Sequence, residues 1–485
     1  MKKIVLIVIV ILVAVSGWAG ATWFVGSKVE DEYRSLVQRY ANLGPVKASV
    51  KSYRRGYLSA RAETVMEMQI PKAPSAEGED LQFETVRVVF GHDIFHGPLP
   101  IGAPQGATPA LALMTTRIVS TSGVEPDLDD LLQQVPELAD AFSYSRIGFD
   151  GSIGGAMEIP PFSSEIEDVT LIWGGLTASS EYKPGGKLVG QVEMPNLDLR
   201  FADGSMTWQS ISYQLDMVEA LPMLFVGSGN MLIGGMQMDV PVRKSGKRTQ
   251  VRMQEVRIDS DSSYDGQLVD YRQTVFGEGM TVDDQVYGPL EIDMEMKNFS
   301  GQALSDYQQE ILGAYGEFDQ LDPDAIIARL MPVYSRLVVG LLANKPEFNI
   351  NRFYVNTPKG EARGMIKLKY DHPQNEAPSE LAMVSMYVPF FKVAADLVVD
   401  RQLAKAMIRS NVESQYQKAV ASGQQPEVSE LEKQALINKQ VEMLLQMYAA
   451  QGFIVIDGEQ VTSRLVFADS QLQVNGKPLP IFGAQ

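Results

Sequence analysis

Alternation of apolar and polar residues with a period of two dominates the chain from about residue 80 to Phe299. The clearest runs, in which every second residue is apolar or glycine, are Leu188–Met194, Leu197–Phe201, Met236–Val240 and Leu290–Met296. Such a period puts apolar side chains on one face of a strand, which is typical of antiparallel sheets with one solvated face. Glycine-rich turns such as YKPGGK and RKSGKR separate the runs. The pattern therefore predicts a large, mainly antiparallel sheet.

Helical spacing interrupts this sheet pattern at Asp127–Phe142 and returns towards the C-terminus. There we predict two helices within Gln302–Ala343, a hairpin over Asn349–Tyr370, a helix from Pro389 to about Lys418, a helix over Pro426–Gln451, and closing strands. The predicted fold class is α+β and β-rich. It comprises an N-terminal transmembrane helix followed by a large, twisted, mainly antiparallel sheet, with the C-terminal helices covering one face.

The run from Ile4 to Val25 contains 22 residues and no charged side chain. A membrane-spanning helix needs about 20 apolar residues. The lysines before the run favour a cytoplasmic N-terminus, and Trp18 and Trp23 lie where an aromatic belt would meet the far interface. We predict a single-pass anchor in a bacterial inner membrane, with the bulk of the chain in the periplasm. A signal peptide cleaved near Ala19-Gly20-Ala21 and a helix buried in the protein core remain open alternatives.

Three segments follow from this assignment. Residues 1–27 are predicted to form a cytoplasmic stub and the anchor, residues 28–43 a stalk helix, and residues 44–485 a β-rich periplasmic body. Val29, Tyr33 and Val37 have helical spacing in the predicted stalk, and Gly44-Pro45 would end it. No linker in the remaining chain is long enough to separate domains convincingly.

Charge and cysteine content exclude several classes of function. The chain of 485 residues has 42 basic and 60 acidic side chains, which gives a formal net charge of −18. Binding of nucleic acid phosphates requires clustered Lys and Arg, so a nucleic acid partner is not expected. The chain has no cysteine, which excludes disulfides, thiolate metal sites and a lipid-modified N-terminal Cys. We predict no cofactor.

Candidate catalytic chemistry is sparse. His92 and His96 have the spacing of a helical zinc pair, but the residues before them predict a strand and Gly97-Pro98 forbids a continuing helix. A strand-end hydrogen-bonding role is the favoured interpretation, with metal binding as the alternative. His372 lies in a polar segment and is predicted to be exposed. There is no G-x-S-x-G elbow, and we predict no catalytic residue and no metal ligand.

Many of the 23 methionines fall on the apolar side of the predicted strands. Methionine adapts to irregular or changing apolar partners. One interpretation is a core packed beneath the C-terminal helices. The alternative is an apolar groove that holds an acyl chain, and the residues that would line it are Met194, Met236, Met238, Met294 and Met296.

The cluster Tyr53-Arg54-Arg55-Gly56-Tyr57 follows the predicted stalk. Its ordinary interpretation is a hairpin turn with exposed arginines. The alternative is contact of Arg54 and Arg55 with lipid headgroups, where each basic residue near an anionic surface contributes about 1 kcal/mol.

Four motifs in this chain support a resemblance to a known family. They are YRRGYLSARAE after the anchor, FHGPLP at Phe95–Pro100, SRIGFDG at Ser145–Gly151, and the C-terminal FADSQLQVNGKPLPI. With these motifs the chain resembles the YdgA-like proteins of Gram-negative bacteria. The resemblance implies a periplasmic protein of unknown function anchored in the inner membrane, and it implies no catalytic residue.

These observations predict a non-enzymatic envelope protein that binds lipid or another apolar ligand along a curved sheet. A scaffold or assembly factor that binds envelope proteins through sheet edges or C-terminal helices is the first alternative. A metal-dependent hydrolase is the second, and it would need a pocket with convergent titratable groups.

Overall fold

Antiparallel strands form most of the structure, a computed structural model of the whole chain. The residues that it describes are 22, 25–31, 33–35, 37–38, 42–43, 46–71, 83–104, 106, 108–123, 128–166, 168–241, 248–315, 323–372, 387–426 and 428–479. The predicted anchor residues Ile4, Trp18 and Trp23 lie outside the described residues.

The strands are numbered in chain order. They are β1 Asn42–Leu43, β2 Val46–Arg55, β3 Ser59–Pro71, β4 Phe83–His96, β5 Ala112–Ser122, β6 Phe142–Ile147, β7 Ile153–Ile159, β8 Phe162–Ile166, β9 Val169–Trp173, β10 Leu176–Lys183, β11 Lys187–Met194, β12 Leu197–Phe201, β13 Gly204–Trp208, β14 Ile211–Leu221, β15 Leu224–Ile233, β16 Met236–Pro241, β17 Arg248–Met253, β18 Val256–Tyr264, β19 Leu268–Gly277, β20 Met280–Val282, β21 Gln285–Tyr287, β22 Leu290–Ser300, β23 Glu347–Thr357, β24 Gly360–Tyr370, β25 Phe391–Asp400, β26 Val455–Asp457, β27 Gln460–Ala468, β28 Gln471–Val474 and β29 Lys477–Leu479.

The helices are fewer. Helix α1 is described at residues 22, 25–31, 33–35 and 37–38. The others are α2 Leu128–Gln134, α3 Gly301–Tyr315, α4 Pro323–Leu342, α5 Arg401–Ala421 and α6 Glu430–Gln451, with a 3-10 helix at Pro136–Asp140. Within the described chain, α4 is long and apolar enough over Ala325–Leu342 to cross a membrane, judged by length and composition alone.

The chain divides into two compact units. Unit 1 contains the chain up to Gly229 together with Leu304–Tyr334, and unit 2 contains Asn230–Ala303 and Ser335–Gln485. In unit 1, β1 to β7 pair in chain order and continue through β10, β11 and β14, and every pairing is antiparallel. In unit 2, the antiparallel order is β18, β19, β22, β23, β24, β25 and β27. The predicted large antiparallel sheet is confirmed.

Two-residue links join these long strands to a second set of short strands. In unit 1, residues 160–161, 174–175, 195–196 and 209–210 connect the long strands to β8, β9, β12 and β13. In unit 2, residues 234–235, 254–255, 278–279 and 288–289 lead to β16, β17, β20 and β21 in the same way. Gly175 requires glycine because its φ is 93°, and a Cβ there would lie 3.2 Å from the carbonyl oxygen of Ile159.

The C-terminal helices pack on each other, and α5 also packs on the sheet of unit 2. Val412 of α5 and Ile437 and Val441 of α6 form a buried cluster, and the last two residues lie four positions apart on one face of the helix. Helix α5 also contacts β24, β25 and β27. The prediction of helices near the C-terminus is therefore confirmed, and the prediction that they cover one face of the sheet remains a prediction.

Ser429 caps α6 with a capping box, in which its side chain accepts from the Glu432 amide and the Glu432 carboxylate accepts from the Ser429 amide. Replacing Ser429 by Ala should lower the free energy of unfolding by about 1 kcal/mol, since a helix amide loses its acceptor. Urea denaturation would measure the change. Ser429→Thr keeps a hydroxyl and should retain most of the stability, and equal losses in both variants would contradict a capping role.

Several predictions need correction. The helix predicted from Pro389 is wrong at its start, because Phe391–Asp400 forms β25 between β24 and β27. Pairing on both sides satisfies the backbone of this apolar segment, and the helix begins only at Arg401. The prediction of an exposed His372 is also wrong. Its side chain is buried at 7% exposure, and its ring lies 4.0 Å from that of Phe390.

The N-terminal region also differs from the prediction of a stalk. Of the predicted N-terminal anchor the structure describes only residues 22 and 25, and α1 packs against the sheet of unit 1 through Val25, Val29 and Tyr33. Asn42–Leu43 form β1 and pair with β2, so the helix ends before residue 42. Val25, predicted as the last residue of the anchor, is 8% exposed and belongs to this core.

Candidate functional site

Helix α1 buries one face on strands β3, β4 and β5. Val25, Val29 and Tyr33 recur at helical spacing and face a sheet surface made mostly of small side chains. The buried residues of that surface are Ala60, Ala62, Ile94 and Ala112. Alanine side chains allow a helix to approach a sheet closely, so this part of unit 1 is shaped to receive α1. We call it the α1 docking site.

Gly26 makes the closest approach in the α1 docking site. A Cβ at this position would lie 2.5 Å from Cε1 and 2.8 Å from Nδ1 of His96. The His96 side chain is 1% exposed, so the imidazole has little room to move away. Thr22, one turn earlier, is fully buried and lies 3.0 Å from where a Cβ on Gly97 would be. Small residues four apart on α1 therefore contact the end of β4.

A network of hydrogen-bonded side chains crosses the α1 docking site. The Tyr33 hydroxyl is hydrogen-bonded to the Thr64 hydroxyl. The His92 ring joins Thr64 through Nε2 at 3.1 Å and Thr116 through Nδ1 at 2.9 Å. Burial lowers the pKa of His92 to about 4, with a smaller opposing effect of Asp93. The network therefore links α1 to three strands through a neutral imidazole.

Backbone hydrogen bonds bring three of the sequence motifs together around α1. The His96 amide donates to the Leu58 carbonyl at 3.1 Å, which joins FHGPLP to YRRGYLS. The Gly97 amide donates to the Leu111 carbonyl at 3.2 Å, and the Leu111 amide donates to the Ile147 carbonyl of SRIGFDG at 2.8 Å. The motifs of the first third of the chain thus build one site.

A second feature is the apolar face of the unit 2 sheet, which we call the unit 2 apolar face. It consists of three cross-strand rows: Met296, Phe348, Leu368, Val393 and Phe467; Met294, Ile350, Ile366, Ala395 and Leu465; and Ile292, Phe353, Gly364, Leu397 and Ser463. None of these side chains is buried. Ile366 is 40% exposed and Leu397 is 44% exposed, although their strands lie inside the sheet.

Both ends of the unit 2 apolar face are covered. Beyond the third row, Ala362, Val399 and Val461 are at most 7% exposed. Beyond the first row, Tyr370 is 1% exposed, and its ring lies 5.2 Å from that of Phe391. The face is therefore buried at its two ends and open between them.

The opposite face of the same strands is charged and solvated. Ion pairs cross it between neighbouring strands, with Arg352 to Glu291 at 2.6 Å and Lys369 to Glu347 at 2.9 Å. Exposed pairs of this kind contribute at most about 1 kcal/mol each. The sheet of unit 2 therefore has one face suited to water and one suited to an apolar partner.

The short strands carry apolar rows as well. In unit 2 the row is Met236, Met253, Met280 and Tyr287, and in unit 1 it is Phe162, Trp173, Leu197 and Trp208. The long strands of unit 1 add the row Met157, Ala178, Val192 and Tyr213, in which Met157 is 40% exposed.

The predicted groove methionines are distributed over these rows. Met294 and Met296 lie on the unit 2 apolar face, and Met236 and Met238 lie on neighbouring rows of the short strands. Met194 lies in unit 1 opposite Ile211. All five side chains are half-buried, so the rows that they share are neither a closed core nor fully exposed.

A family model described as "Bacterial protein of unknown function (DUF945)" matches residues 1–482. The chain belongs to this family. No curated protein and no solved structure matches the chain. The comparison confirms the expected bacterial family of unknown function. The finer resemblance to YdgA-like proteins remains a prediction.

The DUF945 match includes α1 and its docking site as well as both units. In this DUF945 chain, Arg55 lies 3.9 Å from Glu30 of α1, so this predicted headgroup residue also contacts the helix. Arg54 is exposed at the end of β2. Burial, followed in effect by the nearby Glu30 carboxylate, raises the pKa of the neighbouring Tyr53 to about 12.

The histidine pair does not form the geometry of a helical zinc site. His92 and His96 both lie on β4, and four residues along a strand span about 13 Å. His92 already uses both ring nitrogens, and His96 faces Gly26. Among the residues that the structure describes, no group of three or more His, Cys, Asp and Glu could hold a metal ion.

The roles of Gly26 and His96 in the packing of α1 were not predicted from the sequence. The signal was present, because Thr22 and Gly26 are small residues one helical turn apart, beside the apolar series Val25, Val29 and Tyr33. Small residues at this spacing indicate a close contact of a helix with a neighbour. Their partner could not be found from spacing, since His96 is 70 positions further along the chain.

Proposed function

We propose that this protein is a non-enzymatic, membrane-anchored envelope protein that binds the acyl chains of lipid along the unit 2 apolar face. One observation carries the proposal: apolar side chains in the interior of a sheet remain open to solvent between two covered ends. Leaving such surface in water costs about 25 cal/mol per Å². An extended acyl chain would cover this surface and remove that cost, and the chain needs no polar side chain to bind it.

The composition of the face supports an acyl ligand. Ligand sites are mostly apolar, and in the middle row of the unit 2 apolar face all five residues are apolar. Met294 and Met296 add adaptable side chains that can follow a flexible chain. The opposite face of the same strands carries exposed ion pairs and is suited to water. The unit 2 apolar face is therefore the one that we propose as the ligand site.

The proposed location rests on the sequence. The uncharged run ahead of the docked residue Thr22, from Ile4 to Ala21, follows two lysines, and its 18 residues fall within the usual range of lengths of a membrane span. We propose a single pass through a bacterial inner membrane and a periplasmic body, with α1 joining this segment to the sheet of unit 1. Such an anchor would keep the binding face close to a source of lipid.

Ile366→Glu tests the lipid proposal with a matched control on the same strand. Ile366 is 40% exposed on the unit 2 apolar face, and Met365 is 37% exposed on the other face. A carboxylate against an acyl chain is costly. We expect Ile366→Glu to reduce crosslinking of a photoactivatable phosphatidylethanolamine to β22–β25 peptides about tenfold, equivalent to about 1.4 kcal/mol. Met365→Glu should leave the yield nearly unchanged.

The full-length protein in nanodiscs is used for all variants, so lipids around the anchor contribute equally. Thermal unfolding of both variants checks that the sheet is intact. Equal yields from Ile366→Glu and the unsubstituted protein, or no labelled peptide from β22–β25, would overturn the proposal.

A scaffold role is the second candidate. Leu436, Met443 and Met447 of α6 lie at helical spacing and are 47%, 58% and 39% exposed. Under this alternative, a photo-crosslinker at Met443 in cells captures an envelope protein, and lipid crosslinking is insensitive to Ile366→Glu.

A further inference from the structure

The rows of the unit 2 apolar face continue beyond β22 onto β19 and β18. Tyr271 and Gln273 of β19 lie opposite the first and second rows, and Ser262 and Ser260 of β18 lie opposite Tyr271 and Gln273 in turn. Side chains that are directly opposite each other in an antiparallel pair share one face of the sheet. Four half-buried, uncharged polar side chains therefore adjoin the apolar rows. We call Ser260, Ser262, Tyr271 and Gln273 the polar extension.

The extended face carries no charge. Within its three rows from β18 to β27, all of whose residues the structure describes, no side chain is charged. Charges of the same strands lie on the opposite face, where the Arg272 guanidinium donates to the Asp293 carboxylate through two hydrogen bonds of 3.0 Å. A phosphate or carboxylate placed on the rows would lose water without meeting a cation, which is costly. The part of the ligand that contacts this face is therefore uncharged.

The polar extension suits a ligand with hydrogen-bond acceptors. The Gln273 amide has two hydrogens to donate, and its residue lies directly opposite Met294 of the apolar rows. An alkyl chain over this amide would displace water and supply no acceptor in return, which is unfavourable. Ester carbonyls are uncharged acceptors, and in a diacyl lipid they are attached directly to the acyl chains. Such a lipid matches both parts of the face.

The width of the apolar rows agrees with this ligand. Neighbouring strands lie about 4.8 Å apart, so the rows span about 19 Å from β22 through β23, β24 and β25 to β27. The acyl chains of one leaflet span about 15 Å, which is half of the hydrocarbon core of a bilayer. An acyl chain that starts at the polar extension would thus cross most of the apolar rows.

We propose that the ligand is a diacyl lipid whose ester carbonyls lie on the polar extension and whose acyl chains extend across β22–β27. The charged headgroup lies outside the rows. This inference rests on the acyl-binding function proposed above, and it adds the class of the ligand and its direction on the sheet. The face then binds the part that diacyl lipids have in common and does not distinguish their headgroups.

Two photoactivatable phosphatidylethanolamines test the direction. One carries the reactive group beside the ester and the other at the end of the acyl chain, and each is supplied in nanodiscs that hold the full-length protein. We expect the first probe to label peptides of β18–β19 and the second to label peptides of β25 and β27. The reverse order, or the same peptides from both probes, would overturn this inference. No labelled peptide from β18–β27 with either probe would instead overturn the acyl-binding function itself.

Gln273→Leu tests the ester contact through the sign of its effect. Loss of one hydrogen bond should reduce labelling by the ester-side probe about three- to tenfold. A ligand that offers only alkyl groups would be labelled equally or more strongly, because leucine is more apolar than glutamine. Thr274→Val is the matched control, since Thr274 is the next residue of β19 and lies on the opposite face, opposite Asp293. Its labelling should be unchanged, and thermal unfolding checks that both variants keep the sheet. Equal or stronger labelling of Gln273→Leu would overturn the ester contact.

Competition with unlabelled lipids tests the indifference to headgroups. Phosphatidylethanolamine, phosphatidylglycerol and diacylglycerol with the same acyl chains should compete within about twofold of one another. A free fatty acid should compete less well, because its carboxylate is charged and the rows offer no cation. A preference of about tenfold or more for one headgroup would overturn the inference. So would capture of a protein, and of no lipid, by a photo-crosslinking residue at position 273 in cells.

Discussion

Gly26→Ala is expected to destabilise the protein by about 1–3 kcal/mol, the usual range for overpacking a closed site. The new Cβ would lie 2.5 Å from His96 Cε1, and His96 is 1% exposed. Helix propensity alone predicts the opposite sign, because Ala is better than Gly inside a helix by about 0.8–1.0 kcal/mol. The direction of the change therefore reports whether α1 is docked on β4.

Urea denaturation of the full-length protein would measure this effect. Gly154→Ala on β7 is the matched control, since its Cβ would have the Ser180 carbonyl oxygen at 3.8 Å as its nearest neighbour. A double-mutant cycle with His96→Ala should show strong coupling, because removal of the imidazole makes room for the new methyl group. A Gly26→Ala variant more stable than the parent would refute the docking of α1 at His96.

Lowering the pH from 6.5 to about 4 is expected to reduce the free energy of unfolding through two histidines of the α1 docking site. Burial lowers the pKa of His92 from 6.5 to about 4, and burial also lowers the pKa of His96. Each neutral imidazole therefore contributes its full stability above pH 6.5. As the pH falls towards 4, the unfolded chain binds protons that the folded protein does not bind, and stability is lost.

The slope expected from His92 is about 1.4 kcal/mol per pH unit across this window. Carboxylates titrate in the same range, so the comparison with His92→Gln isolates the contribution of His92. This variant can keep hydrogen bonds to Thr64 and Thr116 but has no titrating ring. Denaturation curves at several pH values should show a shallower loss in His92→Gln. Parallel curves would mean that His92 has an ordinary pKa and that the network does not hold it neutral.

Local pattern predicted much of the secondary structure. The alternation in Leu290–Met296 became β22, and the helical spacing of Ile437 and Val441 became the buried side of α6. A strand or an amphipathic helix needs only the period of its own residues, so these elements could be read locally. The segment Phe391–Asp400 could not be assigned from its own residues, because its apolar run fits a helix or a buried strand equally well. Its pairing with β24 and β27, which are distant in the chain, decided the matter.

The links between long and short strands also could not be assigned from local pattern alone. The apolar series resumes three residues after Ile159, Trp173 and Met194, at Phe162, Leu176 and Leu197. A shift from two to three can mark a bulge, a turn or a change of sheet. Only the pairing of β8 with β9 and of β12 with β13 shows that the chain enters a second set of strands at these points.

The pattern of residues along the chain was enough to predict antiparallel strands and amphipathic helices near the C-terminus, and the composition shows that there is no cysteine. These properties follow from composition and from short periods along the chain. The contact of Gly26 with His96, and the exposure of the row through Met294 and Ile366 next to the buried Tyr370, are visible only in the folded protein. Burial is a property of contacts between distant segments, and an apolar residue has the same local pattern whether a partner covers it or not.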